Sequence, residues 1–488
     1  MRLSKLINVL DGVEIIAAND WEREIDGLSV DSRKKQESGL FICLVGENVD
    51  SHTLVKEAER NGAVAIVAQR RVETNLPLLL VEDTRKSLSL LASVFYKEPS
   101  KQLKVIGITG TNGKTTTSYM LASILRAAGK SVGIIGTLGA VYGNKALPSE
   151  LTTPDPIELQ RLLAEMVLQG IEYVVMEVSA HALYYKKTDA ISFAACIFTN
   201  LTQDHLDFFK EMKDYKAAKL ALFSPQICPI AIVNGDDVVG REIVKIRKEK
   251  QTCVYTLNTP SDRFAVITDD SLNGTECMLN LNDKLYRASL RMLGEYNVYN
   301  ALAAASCAEA LGFGEWITEG LLSVENVRGR LQRGGSLYGA EIYVDFAHTP
   351  DGLSKSLETL KKYCKGRLIC LFGCGGNRDR GKRSLMGEAA AKRCDFCVLT
   401  SDNPRYEDPL DIISQIEVGY RRFSTCYVIV PNRERAIDYA LDCLRMGDIL
   451  LIAGKGGEEY QEIMGIKYPF NDQERVEKFL KQKGKNLS

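Results

Sequence analysis

The chain has 488 residues, too many for a single hydrophobic core, and its length predicts about three domains. With 45% hydrophobic residues and 62 basic against 63 acidic side chains, it has the composition of a globular protein and no overall charge that would attract nucleic acid or a membrane surface. No apolar run is long enough to span a membrane, and no apolar signal core follows Met1. We therefore expect a cytoplasmic protein with neither nucleic-acid nor membrane partners.

Strand-like and helical patterns alternate along the first hundred residues, which is typical of an α/β domain. The predicted strands lie at 40–45, 63–67 and 78–81. The polar run Glu98-Pro99-Ser100 closes this region, and a Gly/Arg-rich run at 328–335 closes the next. We expect three α/β domains, with the bounds 1–100, 101–330 and 331–488.

The second domain opens on an apolar strand, a glycine-bearing loop and the start of a helix. Gly110 and Gly113 can let backbone N–H groups face phosphate oxygens, Lys114 can reach the terminal phosphates, and Thr115 can bind magnesium. The strict phosphate-loop pattern places glycine at position 108, where this chain has Ile108, so an ordinary strand-to-helix turn is the alternative. We interpret the run as an ATP-binding loop.

Further strands of this domain are predicted at 131–135, 173–177, 194–198 and 231–233. Glu177 ends the second of them, where a phosphate-loop protein places an acidic magnesium ligand. His181 and His205 follow, and His348 lies at another strand end. A single histidine is more often structural, but a chain with only four histidines that gathers three at strand ends favours ligands or phosphate partners.

The third domain repeats the alternation of strand and helix, with strands predicted at 341–345, 367–372, 396–400, 427–430 and 448–453. Polar clusters at 373–378, 401–405 and 454–458 follow three of these strands. Since ligands bind beyond the carboxyl ends of parallel strands, we expect the three clusters to converge at one edge of the sheet.

The thirteen cysteines are scattered and lie mostly in apolar runs, as reduced core thiols do. Cys394 and Cys397 form the C-x-x-C pattern of this chain, but no second pair follows at a spacing typical of zinc sites. We expect these two cysteines to serve packing.

Seven motifs occur in the order seen in Mur ligases, and together they span most of the chain. They are Gly-Thr-Asn-Gly-Lys-Thr-Thr at 110–116, Met-Glu-Val-Ser-x-His at 176–181, Thr-Asn-Leu-x-x-Asp-His-Leu-Asp at 199–207, Asn-Val-x-Asn-Ala at 297–301, Arg-Gly-Arg at 328–330, Asp-x-Ala-His-Thr-Pro at 345–350 and Asp-Asn-Pro-Arg at 402–405. The chain resembles the Mur ligase family, and within it the MurE type. The resemblance implies an N-terminal UDP-binding domain, a central ATPase-like parallel sheet and a C-terminal Rossmann-like domain.

The resemblance also implies an activity, the ATP-dependent addition of meso-2,6-diaminopimelate to the D-glutamate of UDP-N-acetylmuramoyl-L-alanyl-D-glutamate. The D-glutamate carboxylate would first become an acyl phosphate, and the enzyme would be a monomer that serves peptidoglycan precursor synthesis. Alternatives are a sister ligase that adds L-lysine, a ligase like folylpolyglutamate synthetase, and a nucleotide-binding switch.

Each motif carries residue roles that the resemblance implies. ATP contacts fall on Gly110, Thr111, Asn112, Gly113, Lys114, Thr115, Thr116, Asn297, Arg330 and Asp345. Catalysis and magnesium binding fall on Lys114, Thr115, Glu177, His205 and a carbamylated Lys219. UDP-substrate contacts fall on Ser32, Asn48, Thr152, Thr153, Ser179 and Lys187, and amino-acid contacts on Arg378, Asp402, Asn403, Arg405, Gly454 and Glu458.

Two of these roles have a chemical reason. The ammonium of Lys219 would repel magnesium whereas its carbamate supplies anionic oxygens, although the sequence alone indicates a solvated helix lysine. Arg405 could pair with the extra carboxylate of diaminopimelate, and lysine would leave the guanidinium unpaired. A surface ion pair is the alternative for Arg405.

The chain departs from the family pattern at four positions. Lys187 stands where arginine is common, and Phe346 and Phe209 each lack a hydrogen-bonding group that the usual tyrosine or histidine has. Gly457 replaces the histidine of the usual Gly-Lys-Gly-His-Glu run. None of these changes removes an expected phosphate or magnesium ligand.

Overall fold

The structure is a computed structural model that describes residues 1–16, 21–46, 49–247 and 251–485. The chain forms two compact units. Unit 1 comprises residues 1–107, 130–196 and 221–229, and unit 2 comprises residues 108–129, 197–220 and 230–488. The boundary cuts two strands, Lys104–Thr109 and Phe193–Phe198, so both units contribute residues to them.

Unit 1 begins with the N-terminal sheet, whose strands are short and, except for the exposed edge strand Glu14–Ile16, largely buried. In spatial order they are Glu14–Ile16, Leu78–Leu80, Ala63–Ala68, Gly39–Ile42 and Gly27–Ser29. The first is antiparallel to its neighbour and the others pair in parallel. The helices Leu3–Ile7, Val55–Arg60 and Thr84–Phe95 and the 3₁₀ segments Ser51–Leu54 and Pro99–Lys101 accompany this sheet.

The rest of unit 1 supplies strands of the central sheet. Tyr173–Glu177 pairs in parallel with Val132–Gly136, and the antiparallel strands Gly139–Tyr142 and Lys145–Leu147 extend it. The accompanying helical segments are Pro156–Leu168, Ala180–Tyr184 and Ala221–Phe223. The long helix begins after Asp155 with Pro156 at its first position, which proline favours because it has no N–H to leave unpaired.

Unit 2 carries the other strands of the central sheet, which is mixed. Ala231–Asn234, Thr252–Thr256 and Arg263–Ser271 pair in parallel, and Gly274–Leu281 and Lys284–Leu290 continue the sheet in antiparallel fashion. Its helical segments are Lys114–Ala127, Leu206–Phe209, Met212–Leu220, Val238–Arg247, Glu295–Ala310, Gly314–Trp316 and Ile317–Leu322.

The C-terminal sheet of unit 2 has helices on both faces. Its spatial order is Gln332–Leu337, Ala340–Asp345, Ile449–Ala453, Leu368–Phe372, Phe396–Leu399 and Tyr427–Ile429, and only the first strand is antiparallel to its neighbour. A hairpin of Tyr460–Ile463 and Ile466–Pro469 follows. The helices are Pro350–Lys361, Gly381–Ala391, Pro409–Tyr420, Arg433–Asp442 and Asp472–Lys485.

Every strand predicted in the sequence is present to within a few residues, and the three-domain α/β fold is confirmed. The antiparallel hairpins of the central sheet were missed. Asn282 and Asp283 both have positive φ and join two of these strands as a two-residue turn, a signal the sequence does carry.

The cysteines are free, and all except Cys364, Cys426 and Cys443 are buried. The Cys394 sulfur lies 3.8 Å from the hydroxyl of Tyr420 in the core of the C-terminal sheet, as expected for packing. Within the described residues, no helix has both the length and the apolar character needed to cross a membrane.

Candidate active site

The phosphate loop of unit 2 follows the buried end of the strand Lys104–Thr109. Gly110 and Gly113 have φ values of +151° and +88°, and a Cβ at either would lie 1.8 Å from the Thr199 hydroxyl or 2.3 Å from the Asn300 side-chain oxygen. Only glycine fits both the backbone and the space. Ile108, at the position of the missing glycine, is a buried strand residue. A strand, a glycine-bearing loop and a helix therefore follow one another as the sequence predicted. Gly113 keeps the second glycine position of the strict pattern, and Gly110 lies within the loop.

Two lysine ammonium groups converge on the carbonyl oxygen of Gly110. Lys114 Nζ donates to this oxygen and to that of Thr111, both at 2.9 Å, and Lys219 Nζ donates to it at 2.8 Å. Lys219 is 2% exposed, not a solvated helix lysine. Burial, reinforced by the charge of Lys114, holds the pKa of Lys219 well below its usual value, so its amine is easily deprotonated.

The loop is braced by polar contacts with its neighbours. The Asn112 side chain donates to Thr202 and Asp351 at 3.3 and 3.1 Å, and the Thr111 hydroxyl lies 3.1 Å from that of Tyr215. Thr116 is buried in the first turn of the helix. These contacts fix the loop backbone, which is what phosphate binding by N–H groups requires.

Arg330 and Asn297 both lie close to the loop, as the resemblance implied. Arg330 Nη2 donates to the Thr115 hydroxyl at 2.9 Å, and its guanidinium stacks 4.6 Å from the ring of Phe346. The Asn297 side chain bonds the Leu293 carbonyl oxygen and accepts from Asn300, whose oxygen faces Gly113. Sequence reasoning gave Asn300 no role, although it stands in a quoted motif.

Asp345 is 8% exposed, and its carboxylate is occupied within the protein. It accepts hydrogen bonds from the backbone N–H groups of Leu331 and Ala347 and from the Ser356 hydroxyl. Burial raises the pKa of Asp345. Its contacts therefore join the strand Ala340–Asp345 to the Arg330 segment.

A second charged cluster in unit 2 centres on Asp204. Nε2 of His205 and of His348 lie 3.4 and 3.8 Å from its carboxylate, and Lys382 Nζ lies at 3.9 Å. Burial acts to raise the pKa of Asp204, but its interactions with His205, His348 and Lys382 lower it to about 2. The pKa of His348 is lowered by burial and by Lys382. The structure brings His205 and His348 together at Asp204, and Lys382 is an addition that tertiary contact alone reveals.

The three polar loops of the C-terminal sheet do converge. Lys455, fully buried, donates to Asn403 at 3.0 Å and to Glu458 at 2.7 Å, and Asn403 Nδ2 donates to the same Glu458 carboxylate at 2.9 Å. Burial raises the pKa of Glu458. Asp402 is buried beside Gly454, whose added Cβ would lie 2.6 Å from its carboxylate. Lys455 was not among the predicted site residues, and it ties the loops together.

Arg405 lies in the same cluster, but its surroundings correct one expectation. Its Nε lies 3.1 Å from the carboxylate of Glu462, and its Nη1 donates to the Gly376 carbonyl oxygen at 2.9 Å. The guanidinium thus has an acidic partner within the protein, so a lysine substrate would not leave it unpaired. Arg378, on the neighbouring loop, is exposed.

Unit 1 has a polar group of its own at the end of the strand Tyr173–Glu177. The Glu177 carboxylate accepts from the backbone and hydroxyl of Thr137 at 2.9 and 3.1 Å, and the Thr137 hydroxyl lies 3.2 Å from that of Thr152. Thr153 donates to the Glu177 carbonyl oxygen at 2.9 Å and to Ser179 at 3.4 Å. The structure thus brings four predicted residues together with Thr137, which sequence reasoning missed.

Two further predicted residues of unit 1 have acidic partners. Lys187 pairs with Asp155 at 2.7 Å, and buried Ser32 donates to Glu57. Asn48 lies outside the described residues.

The two aromatic departures from the family pattern keep packing roles. Phe209 is buried with its ring 5.3 Å from that of Tyr215, and Phe346 stacks on Arg330. In the described part of the chain, no three His, Cys, Asp or Glu side chains lie close enough together to hold a metal ion.

Comparison with known proteins assigns the family. Residues 108–308 match the Mur ligase middle domain, and residues 329–456 match the Mur ligase glutamate ligase domain. A UDP-N-acetylmuramoyl-L-alanyl-D-glutamate--2,6-diaminopimelate ligase of Caldanaerobacter subterraneus subsp. tengcongensis is 40% identical over 486 residues, 99% of this chain and 100% of that protein. The chain belongs to the Mur ligase family.

Solved structures agree with this placement. A UDP-N-acetylmuramoyl-L-alanyl-D-glutamate--2,6-diaminopimelate ligase has a TM-score of 0.71 at 30% identity, with 99% of each chain covered. A Mycobacterium tuberculosis folylpolyglutamate synthase has a TM-score of 0.62 at 18% identity over 76% of this chain and 92% of its own. The second likeness extends to the fold alone. This Mur ligase is thus similar to diaminopimelate ligases in sequence and in fold along nearly its whole length.

Proposed function

We propose that this Mur ligase adds meso-2,6-diaminopimelate to the D-glutamate of UDP-N-acetylmuramoyl-L-alanyl-D-glutamate, with ATP as co-substrate. The observation that carries the proposal is the 40% identity, along the whole chain, to ligases of that activity. The convergence of Asn403, Arg405 and Glu458 on one sheet edge supports an amino-acid site there.

The reaction follows from the weakness of a carboxylate as an electrophile. A carboxylate oxygen of D-glutamate attacks the γ-phosphorus, the bond to ADP breaks, and an acyl phosphate forms. The amine of the incoming amino acid then attacks the acyl carbon, the bond to phosphate breaks, and an amide forms with loss of a proton. Lys114 would neutralise charge on the transferred phosphoryl group, and Arg330, whose Nη2 donates to the Thr115 hydroxyl, would hold that hydroxyl beside the loop.

Magnesium, when bound, neutralises phosphate charge. The family resemblance assigns it to Thr115, His205, Glu177 and a carbamylated Lys219. The hydroxyl and the carboxylate are oxygen donors, which suit this cation, and a carbamate would add two more. Carbamylation needs an uncharged amine, and the buried environment of Lys219 favours that form.

We extend the proposal to the other substrate groups. The cluster of Thr152, Thr153 and Ser179 offers hydroxyl groups suited to the UDP-linked peptide, with Lys187 and Ser32 as further contacts. Glu458 would hold an ammonium of the amino acid, and Arg378 and Arg405 its carboxylates. The proposal includes a cytoplasmic monomer and the domain bounds 1–100, 101–330 and 331–488.

A screen of amino acids tests the proposal. Phosphate release from ATP is measured with the UDP-dipeptide present and with meso-diaminopimelate, L-lysine or L-glutamate added in turn. We expect release with meso-diaminopimelate only, and none when the UDP-dipeptide is omitted. Preference for L-lysine would indicate a sister ligase. Release with L-glutamate when a folate replaces the UDP-dipeptide as acceptor would indicate the folylpolyglutamate type. Hydrolysis at the same rate with every amino acid would indicate a switch.

A further inference from the structure

Glu462 is the acidic partner of Arg405 in the C-terminal part of unit 2. It lies on the strand Tyr460–Ile463, and its carboxylate is 3.1 Å from Arg405 Nε. The two side chains are only 20% and 18% exposed. Backbone bonds run in both directions between the segments, from Arg405 N to the Glu462 carbonyl oxygen at 3.1 Å and from Met464 N to the Arg405 carbonyl oxygen at 2.7 Å.

These contacts define the orientation of the guanidinium. Nε faces Glu462, and Nη1 donates to the Gly376 carbonyl oxygen at 2.9 Å. A guanidinium has five N–H groups in a planar fork and can bind one carboxylate along each edge. In a guanidinium, Nε and Nη2 form the side edge, Nη1 and Nη2 form the terminal edge, and each Nη atom carries two N–H groups. Glu462 lies at the side edge, and Nη1 has a second N–H beside the one that bonds Gly376, so the terminal edge can bind a second carboxylate.

Glu462 is itself held in place by the amino-acid loops. Its backbone N–H donates to the Asn403 side-chain oxygen at 2.9 Å, and that oxygen also accepts from Lys455. The adjacent Gln461 donates to the Asp402 carbonyl oxygen at 2.6 Å. The carboxylate therefore stands on a strand that is anchored to the same loops that present Arg405.

We propose that Glu462 is a positioning residue that orients Arg405, so that the terminal edge of the guanidinium meets the distal carboxylate of diaminopimelate. The inference rests on the proposed function. A long arginine side chain without this partner would sample several rotamers, and the amino acid would have to order it on binding. The negative charge of Glu462 weakens the attraction of Arg405 for a second carboxylate, but ordering outweighs this because the two carboxylates use different edges of the fork.

Kinetics of Glu462→Ala and Glu462→Gln test the role. Ordering one such side chain corresponds to a change of about five- to tenfold in affinity, so we expect the alanine variant to raise KM for meso-diaminopimelate by about that factor. The glutamine variant keeps an oxygen acceptor and should give a smaller rise. For both variants kcat and KM for ATP should stay within about twofold of wild type. Glu459→Ala, which removes an exposed neighbouring carboxylate, should change none of these values.

A double-mutant cycle separates positioning from a general structural effect. If Glu462 acts through Arg405, Glu462→Ala should add no further rise in KM for meso-diaminopimelate in an Arg405→Ala background. An equal rise in both backgrounds would overturn the proposal, as would an unchanged KM in Glu462→Ala or Glu462→Gln. Wild-type enzyme that ignores meso-diaminopimelate would overturn the proposed function and this inference together, whereas active wild type with insensitive variants would overturn the inference alone.

Discussion

The phosphate loop and the amino-acid loops, both in unit 2, hold their cationic side chains differently. Lys114 and Lys219 both donate to the backbone carbonyl oxygen of Gly110, a neutral acceptor. In the amino-acid loops, Lys455 contacts Glu458 and Arg405 contacts Glu462. The first arrangement sets the cation of Lys114 beside an amine that burial keeps uncharged and open to modification, and the second provides paired charges that suit a zwitterionic amino acid. The five predictions below test or sharpen this contrast.

The largest expected effect is on stability, behind the amino-acid loops. Arg383 is fully buried and donates to both carboxylate oxygens of Glu407 at 2.9 and 3.0 Å, and it also bonds the Gly375 carbonyl oxygen. Glu407→Ala leaves this charge unpaired and should cost about 3–5 kcal/mol of unfolding free energy in urea denaturation. Glu407→Gln, which keeps two hydrogen-bonding atoms, should cost less.

The same ion pair predicts a pH dependence. Hydrogen bonds from Arg383 lower the pKa of Glu407 to about 2, so the pair stabilises the fold above the ordinary carboxyl value of about 4.3. This stabilisation is lost as the pH falls from there toward 2. Denaturation at several pH values should show a steeper acid loss in wild type than in Glu407→Gln, and parallel curves would contradict the assignment.

Lys114→Ala should reduce turnover by about 10²–10³-fold, since it removes a charge aimed at the transferred phosphoryl group. The protein should stay folded by circular dichroism, because the hydrogen bonds of Lys114 to the Gly110 and Thr111 carbonyl oxygens lie within the loop. Lys104→Ala, at the exposed start of the strand that precedes the loop, is the matched control. Retention of more than about a tenth of the activity would remove Lys114 from catalysis.

Lys219→Ala should lower activity about a hundredfold if its carbamate contributes to metal binding. A small carboxylate such as acetate should restore part of that activity by occupying the vacated space. Lys216→Ala, on the same helix but paired with Glu242 near the surface, should be nearly silent. Labelled bicarbonate should give a carbamate carbon signal in wild type, and its absence from both proteins would contradict the modification.

Arg405→Ala should lower the preference for meso-diaminopimelate over L-lysine by about thirtyfold or more, measured as the ratio of kcat/KM values. The variant removes the partner of the distal carboxylate and leaves Glu462 to attract the lysine ammonium. An unchanged ratio, or equal use of both amino acids by wild type, would refute the assignment. Arg421→Ala removes an exposed guanidinium paired at 3.8 Å and serves as control.

Much of the site could be predicted because it follows strands. The position of Lys114 and the convergence of the loops after Leu368–Phe372, Phe396–Leu399 and Ile449–Ala453 follow from local pattern and from the geometry of parallel sheets. The individual roles of Lys219, Arg330 and Asp345 came from family resemblance and stay proposals. The hairpins of the central sheet were missed, although the turn residues Asn282 and Asp283 indicate one of them.

The sequence by itself determined the α/β fold class, which follows from periodicity, and the strand, loop and helix of the phosphate loop, which depend on neighbours along the chain. The order of the motifs indicated the family. The tertiary structure decided which charges meet. Lys219 is buried rather than solvated, Lys382 joins Asp204, and Glu462 faces Arg405, and each contact links segments far apart in the chain. Such partners leave no local signal, because burial and electrostatic pairing depend on distances that exist only after the chain has folded.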